Sequence, residues 1–178
     1  MPRAGALTDT QSVWTSHLTR RSTRGSGTDV RILLVEDNED HALITELAIR
    51  DAQPELAEQL HVDTVYDGDG ALNYLRGEGE HADRELPDLV LLDIKMPGVS
   101  GLDVLRTIRS DPDHPELRIV PVVMLTTSAQ GEDVLQAYRE GANEYVTKPV
   151  RAEEFRTKVQ AIPRYWSQVV QRPGPPNA

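Results

Sequence analysis

The sequence predicts an α/β fold: a five-stranded parallel sheet covered by helices on both faces. Three observations carry that prediction. Short apolar runs alternate with segments of helical spacing along most of the 178 residues. The runs are almost continuously apolar, as in strands buried on both sides, rather than alternating with polar residues. Glu36, Asp37, Asp93, Thr126 and Lys148 all fall at the carboxyl ends of those runs, and none of the five at an amino end.

The elements follow in order. Val30–Val35, VRILLV, is short, apolar and rich in β-branched residues, and it stops at Glu36-Asp37-Asn38. Ala42, Leu43, Leu47 and Ala48 then keep helical spacing until Pro54. His61–Val65 is the second strand, and Asp67-Gly68 leads into a helix carrying Ala71, Leu72 and Leu75. Residues 77–87 form a polar loop, and Asp88–Leu92 is the third strand. Leu102, Leu105 and Ile108 line one face of a helix over Gly101–Ser110, which the proline-rich DPDHPE ends. Ile119–Leu125 is the fourth strand, Gly131–Glu140 a helix, and Tyr145-Val146 ends the fifth strand ahead of Lys148-Pro149. From Arg151 the chain is helical again, with Phe155, Val159 and Ile162 in register and Pro163 placed to kink the helix beyond them.

Composition narrows the function classes. Cysteine is absent, which excludes disulfides and thiolate chemistry and agrees with a cytoplasmic protein. No apolar run approaches the ~18 residues of a membrane span, and no apolar signal segment opens the chain. Residues 1–28 hold four arginines against Asp9, so the overall charge of -10 becomes -13 over the rest. So acidic a body repels phosphate backbones, and nucleic acid is not an expected partner. The three expected parts are a disordered tail over 1–28, one domain over 29–162, and an extension of the last helix with a tail over 163–178.

In an open parallel α/β sheet, sites form beyond the carboxyl ends of the strands. Glu36 and Asp37 follow the first strand, Asp93 the third, Thr126 the fourth and Lys148 the fifth. Any one of these alone would ordinarily be a helix cap or a solvated turn residue. Together they form a pattern. Three carboxylates on one rim repel unless a proton or a cation joins them. Oxygen ligands without cysteine or a histidine pair favour Mg²⁺ over zinc. A hydroxyl and an ammonium opposite suit an incoming phosphoryl group, with Asp93 as nucleophile.

The segments ILLVEDNED, PDLVLLDIKMPGVSG, PVVMLTTSA and YVTKP together resemble the signatures of receiver domains of two-component response regulators, over residues 30 to about 160. The resemblance implies a flavodoxin-like, doubly wound sheet of strand order 2-1-3-4-5 flanked by five helices. It implies Asp93 as phosphoacceptor. Mg²⁺ would be held by Asp37, Asp93 and the Lys95 backbone carbonyl, with Glu36 acting through water. Thr126 and Tyr145 would be the switch pair and Lys148 the family's lysine, with a cis peptide at Lys148–Pro149. The chain departs from the commonest pattern with Ser100-Gly101 after the Met-Pro turn, and with Lys95 and Ser128 at positions that tune dephosphorylation in the family.

The segment beyond the fifth helix is too short for a DNA-binding module, so a stand-alone receiver is expected, an acceptor rather than an enzyme acting on other substrates. The long loop before the third strand and the RYW ending resemble single-domain regulators paired with bacterial phytochrome histidine kinases. A homodimer is expected, with Phe155 and Trp166 as interface candidates. The alternatives are a receiver for another histidine kinase or a phosphorelay, and an interaction module independent of phosphorylation. A phosphohydrolase of the haloacid-dehalogenase type needs a second Asp two residues after the first, where this chain has Lys95.

Overall fold

The computed structural model describes residues 29–56, 59–128, 130–149 and 151–168. The expected tail over 1–28, and residues 169–178 of the expected extension, lie outside the described residues. Five strands, β1 (Val30–Val35), β2 (Leu60–Val65), β3 (Leu89–Asp93), β4 (Val122–Thr126) and β5 (Glu144–Thr147), form one parallel sheet of order β2-β1-β3-β4-β5. The helices are α1 (Glu39–Ala52), α2 (Gly68–Arg76), α3 (Gly101–Ser110), α4 (Gly131–Arg139) and α5 (Ala152–Gln168). No helix among the described residues is long and apolar enough to cross a membrane.

The period of two along β1 divides the core. Ile32 and Leu34 face one way, into a layer with Ala42 and Ile49 of α1 and Phe155, Val159 and Ile162 of α5. Leu33 and Val35 face the other way, with Ala71 and Leu75 of α2, Leu105 and Ile108 of α3, and Ala137 of α4. The doubly wound arrangement expected from the sequence is therefore present, with β3 wholly buried at its centre.

Spacing alone left the buried face of α1 open, and three local expectations are corrected. The buried face of α1 is Ala42, Thr45, Ala48, Ile49 and Ala52, whereas Leu43 is 55% exposed and Leu47 45%. Small residues allow close approach to the sheet, and Thr45 can be buried because its hydroxyl donates to the His41 carbonyl at 2.8 Å. β4 begins at Val122 rather than Ile119, because Pro115 starts a 3₁₀ turn over Pro115–Ile119 and Pro121 has no N–H for the ladder. The Lys148–Pro149 peptide is trans, the intrinsically preferred isomer, and from it the Lys148 N–H still reaches the Thr126 carbonyl at 2.7 Å. Phe155 is only 5% exposed and belongs to the core, so it offers no surface for a partner. The helix also runs on through Pro163 to Gln168, with Trp166 packed at the core's edge and Tyr165 exposed.

The polar loop after α2 is held down by one side-chain group. The Tyr74 hydroxyl donates to Asp63 at 2.6 Å, Arg84 pairs with the same carboxylate, and the Arg84 guanidinium lies 5.5 Å from the Tyr74 ring centroid. Burial pushes the Asp63 carboxyl up, but the Tyr74 hydroxyl and Arg84 outweigh it and hold it below its ordinary value. Burial and the Asp63 charge push the Tyr74 phenol up to about 12.

A carboxyl depressed by folding contributes stability above its unfolded value of about 3.9, and that contribution is lost as pH falls through the lower folded value. Asp63→Asn is expected to remove that part of the acid limb in denaturant titrations between about pH 5 and 2. An unchanged acid limb would show that the group carries no linkage.

Candidate functional site

The register of the sheet builds the site. Val35 of β1 pairs with Leu92 of β3, so Glu36 and Asp93 leave the sheet side by side. Asp93 pairs with Leu125, which puts Thr126 one step further on, and Thr126 pairs with Thr147, immediately before Lys148. Residues more than a hundred positions apart thus share one rim because five parallel strands end at nearly the same level.

The loop after Asp93 is shaped by glycine. Gly98 has φ +74°, the left-handed conformation that a Pro-Gly turn requires. Gly101 begins α3 so close to β3 that an added Cβ would lie 1.9 Å from the Asp93 carbonyl oxygen. Ser100 caps this helix: its hydroxyl accepts from the Asp103 N–H at 3.3 Å, and the Asp103 carboxylate accepts from the Ser100 N–H at 3.4 Å. The departure at Ser100 therefore has a local structural role. On the other side, an added Cβ on Gly68 would lie 2.3 Å from the Val99 carbonyl oxygen, so α2 also abuts this loop.

At the centre, Lys148 Nζ donates to Asp93 Oδ2 at 2.6 Å and to Glu36 Oε2. All three groups are buried, Glu36 at 1%, Asp93 at 6% and Lys148 at 7% exposure. Asp93 Oδ1 accepts the Lys95 backbone N–H at 3.1 Å. Burial pushes the Glu36 carboxyl above its ordinary value, against the opposing hydrogen bond and charge of Lys148. One ammonium between two carboxylates leaves a buried excess of negative charge.

That excess suits a divalent cation. Glu36, Asp37 and Asp93 each offer a carboxylate oxygen, all within 4.8 Å of one another. Glu36 Oε1 is buried and has no hydrogen-bond partner among the described residues; His41 Nδ1 lies 3.4 Å from it. Asp37 is exposed and can complete the cluster from the solvent side. An all-oxygen donor set of this charge fits a hard cation.

Thr126 is fully buried, and its hydroxyl oxygen accepts the Ser128 N–H at 3.1 Å. The Tyr145 hydroxyl donates to the Ser128 carbonyl at 2.9 Å. The sequence-predicted residues Glu36, Asp37, Asp93, Lys148, Thr126 and Tyr145 therefore lie along one connected rim, while Trp166 lies on the last helix outside it. Sequence reasoning missed two contributors. His41 faces Glu36 because Asn38 caps α1 through the His41 N–H at 2.9 Å, and the short spacing N-x-x-H was the available signal. Gly68 had no signal beyond a turn, since its close approach is to a distant loop.

Comparison with known proteins agrees with this geometry. The family model for the response regulator receiver domain matches residues 32–160. This chain belongs to that family. The receiver is 40% identical over 144 residues to the probable methanogenesis regulatory protein FilR2 of Methanothrix harundinacea, covering 81% of this chain and 88% of FilR2. It is 32% identical over 142 residues to response regulator Rcp1 of Synechocystis sp., covering 80% of this chain and 92% of Rcp1. The crystal structure of Mn²⁺-bound Rcp1 matches with a TM-score of 0.71 at 31% identity, covering 82% of this chain and 99% of that one. The crystal structure of the phosphorylated cyanobacterial phytochrome response regulator RcpA matches with a TM-score of 0.74 at 35% identity, covering 83% of this chain and all of RcpA.

Divalent binding is directly measurable on the receiver. Mn²⁺ is expected to raise the thermal midpoint, with a gain of about 2.7 kcal/mol at a hundred times the dissociation constant. Asp37→Asn, at an exposed position, is expected to keep the metal-free midpoint and lose most of the gain. An undiminished gain in the variant would remove Asp37 from the metal site.

Proposed function

We propose that this receiver accepts a phosphoryl group on Asp93 from a sensor histidine kinase of the phytochrome type, in a Mg²⁺-dependent reaction, and changes conformation to signal. The observation that carries the reading is the buried Asp93 carboxylate, held between Lys148 and the Glu36–Asp37 acidic pair at the end of the central strand. Similarity to the cyanobacterial phytochrome response regulator RcpA over the whole of that chain supports the kinase class.

In the proposed step an Asp93 carboxylate oxygen attacks phosphorus. The bond between phosphorus and the donor imidazole nitrogen breaks, and the imidazole leaves with the electron pair and takes a proton from solvent. Glu36, Asp37, Asp93 and the Lys95 carbonyl would hold the Mg²⁺, which when bound supplies positive charge against the oxygens of the transferring group. Lys148 has three N–H donors, of which Asp93 and Glu36 take two, so the third can meet a phosphoryl oxygen as charge develops. The Thr126 hydroxyl accepts from the Ser128 N–H and keeps its own proton to donate to the same group. The roughly -1.5 to -2 charges added at Asp93 then draw Thr126, and Tyr145 with it, toward a second arrangement.

The reading also assigns the receiver to the cytoplasm and to a homodimer through α4, β5 and α5. In support of that face, Leu135 and Tyr138 stand three residues apart on α4, 50% and 49% exposed. Trp166 is the proposed contact at the end of α5.

Incubation with acetyl phosphate and Mg²⁺, or with a phytochrome histidine kinase and ATP, is expected to give an acid-stable, base-labile phosphoprotein. Mass spectrometry should place the modification on Asp93. Asp93→Asn is expected to take up none. Equal phosphorylation of the variant would overturn the assignment.

A further inference from the structure

Every polar group of Ser128 is engaged. Its N–H donates to the Thr126 hydroxyl oxygen at 3.1 Å, and its carbonyl accepts the Tyr145 hydroxyl at 2.9 Å. Its own hydroxyl donates to Asp133 Oδ2 and accepts the Gln130 N–H at 3.3 Å. The residue is 5% exposed, so these bonds have little competition from water. The Ser128 hydroxyl therefore makes both of its bonds at the start of α4. It faces the first turn of α4.

The helix explains why Asp133 is free to meet it. Gln130 occupies the N-cap of α4 and makes no side-chain cap bond. Asp133 stands at the third helical position, where a capping box would return its carboxylate to the N-cap backbone. Here that carboxylate reaches past the cap to Ser128 instead. The opening turn of α4 is tied by side chain to the residue that holds both Thr126 and Tyr145. Asp133 is also close enough to act on Tyr145 by charge: burial and then the Asp133 carboxylate push the Tyr145 phenol up.

We propose that Ser128 and Asp133 are the positioning residues that couple α4 to the site, so that the Thr126–Tyr145 pair and the first turn of α4 move as one unit. The inference deepens the phosphoacceptor reading and rests on it for its biological use, although the coupling is a property of the chain before any phosphoryl group arrives. Without the Ser128–Asp133 bond, Thr126 and Tyr145 keep their contacts to the Ser128 backbone, and among the described residues the weaker Gln130 N–H bond to the Ser128 hydroxyl is what is left of the tie to the start of α4.

The test is a cycle of backbone amide spectra on the full chain. Tyr145→Phe removes the hydroxyl that bonds Ser128, and in the wild-type background it is expected to shift the amide signals of Leu135 and Ala137 in α4. In Asp133→Ala and in Ser128→Ala backgrounds the same substitution is expected to shift them by less than about half as much. Asp133→Asn keeps an acceptor for the Ser128 hydroxyl and is expected to restore the full shift, which a merely structural loss would not do. Equal shifts in all backgrounds would overturn the coupling. So would shifts that fall in Asp133→Asn as far as in Asp133→Ala. A second arm adds acetyl phosphate and Mg²⁺: Tyr145 signals respond in wild type and Asp133→Ala, and α4 signals respond fully in wild type alone. Absence of phosphorylation in wild type would overturn the phosphoacceptor reading, and the spectra of the unphosphorylated chain would still decide the coupling.

Discussion

The buried ammonium of Lys148 between Glu36 and Asp93 is the constraint on which the site depends. Two carboxylates without water around them repel strongly, and one cation placed between them makes their burial tolerable. The compensation is incomplete. One negative charge is left over, Glu36 is pushed toward its protonated form, and one of its oxygens has no hydrogen-bond partner among the described residues. A fully neutralised cluster would hold the fold equally well and attract nothing. The residual charge suits the site to a divalent cation and, through that cation, to a phosphoryl donor.

Backbone packing fixes where that charge stands. Asp93 ends a strand buried on both faces, and α3 begins so close to it that only glycine fits at position 101. The Pro-Gly turn between them needs the positive φ of Gly98, and the same loop is pressed from the other side by α2 at Gly68. The acid is thus set in a rigid frame, while Asp37 remains exposed at the entrance. Rigidity at Asp93 and access at Asp37 are the combination that the proposed in-line transfer needs. In the proposed switch, motion falls to the β4 end of the rim, where hydrogen bonds link Thr126, Ser128 and Tyr145.

Most of this frame was legible in the sequence because it is written in local chemistry. Continuous apolar runs gave β1, β3 and β4, and the residues that end them gave the rim. The features that escaped depend on distant contacts. Ala42, Leu43, Leu47 and Ala48 all keep helical spacing, which does not say which of them face inward; α1 turns its small residues inward because α5 and the sheet come close there. Phe155 could not be divided between core and interface until Ile32 and Leu34 were seen opposite it. The start of β4 was blurred by two prolines whose effects differ, one opening a 3₁₀ turn and one denying a ladder donor. The Lys148–Pro149 peptide was expected cis from resemblance alone, with no residue-level signal behind it, and it is trans. Ser128 was visible only as a position; its bond to Asp133 needed the cap geometry of α4.

The central claim is that Lys148 serves the transferring group and is more than a counter-ion for burial. The most direct measurement is the initial rate of Asp93 phosphorylation by acetyl phosphate in Lys148→Ala at saturating Mg²⁺, with folding verified by circular dichroism and Mg²⁺ affinity measured in parallel. The account predicts Mg²⁺ affinity no weaker than wild type, because a competing cation has gone, and a rate lower by about 10²-fold, the scale of one lost donor to developing charge. A folded variant that is phosphorylated at the wild-type rate would contradict it.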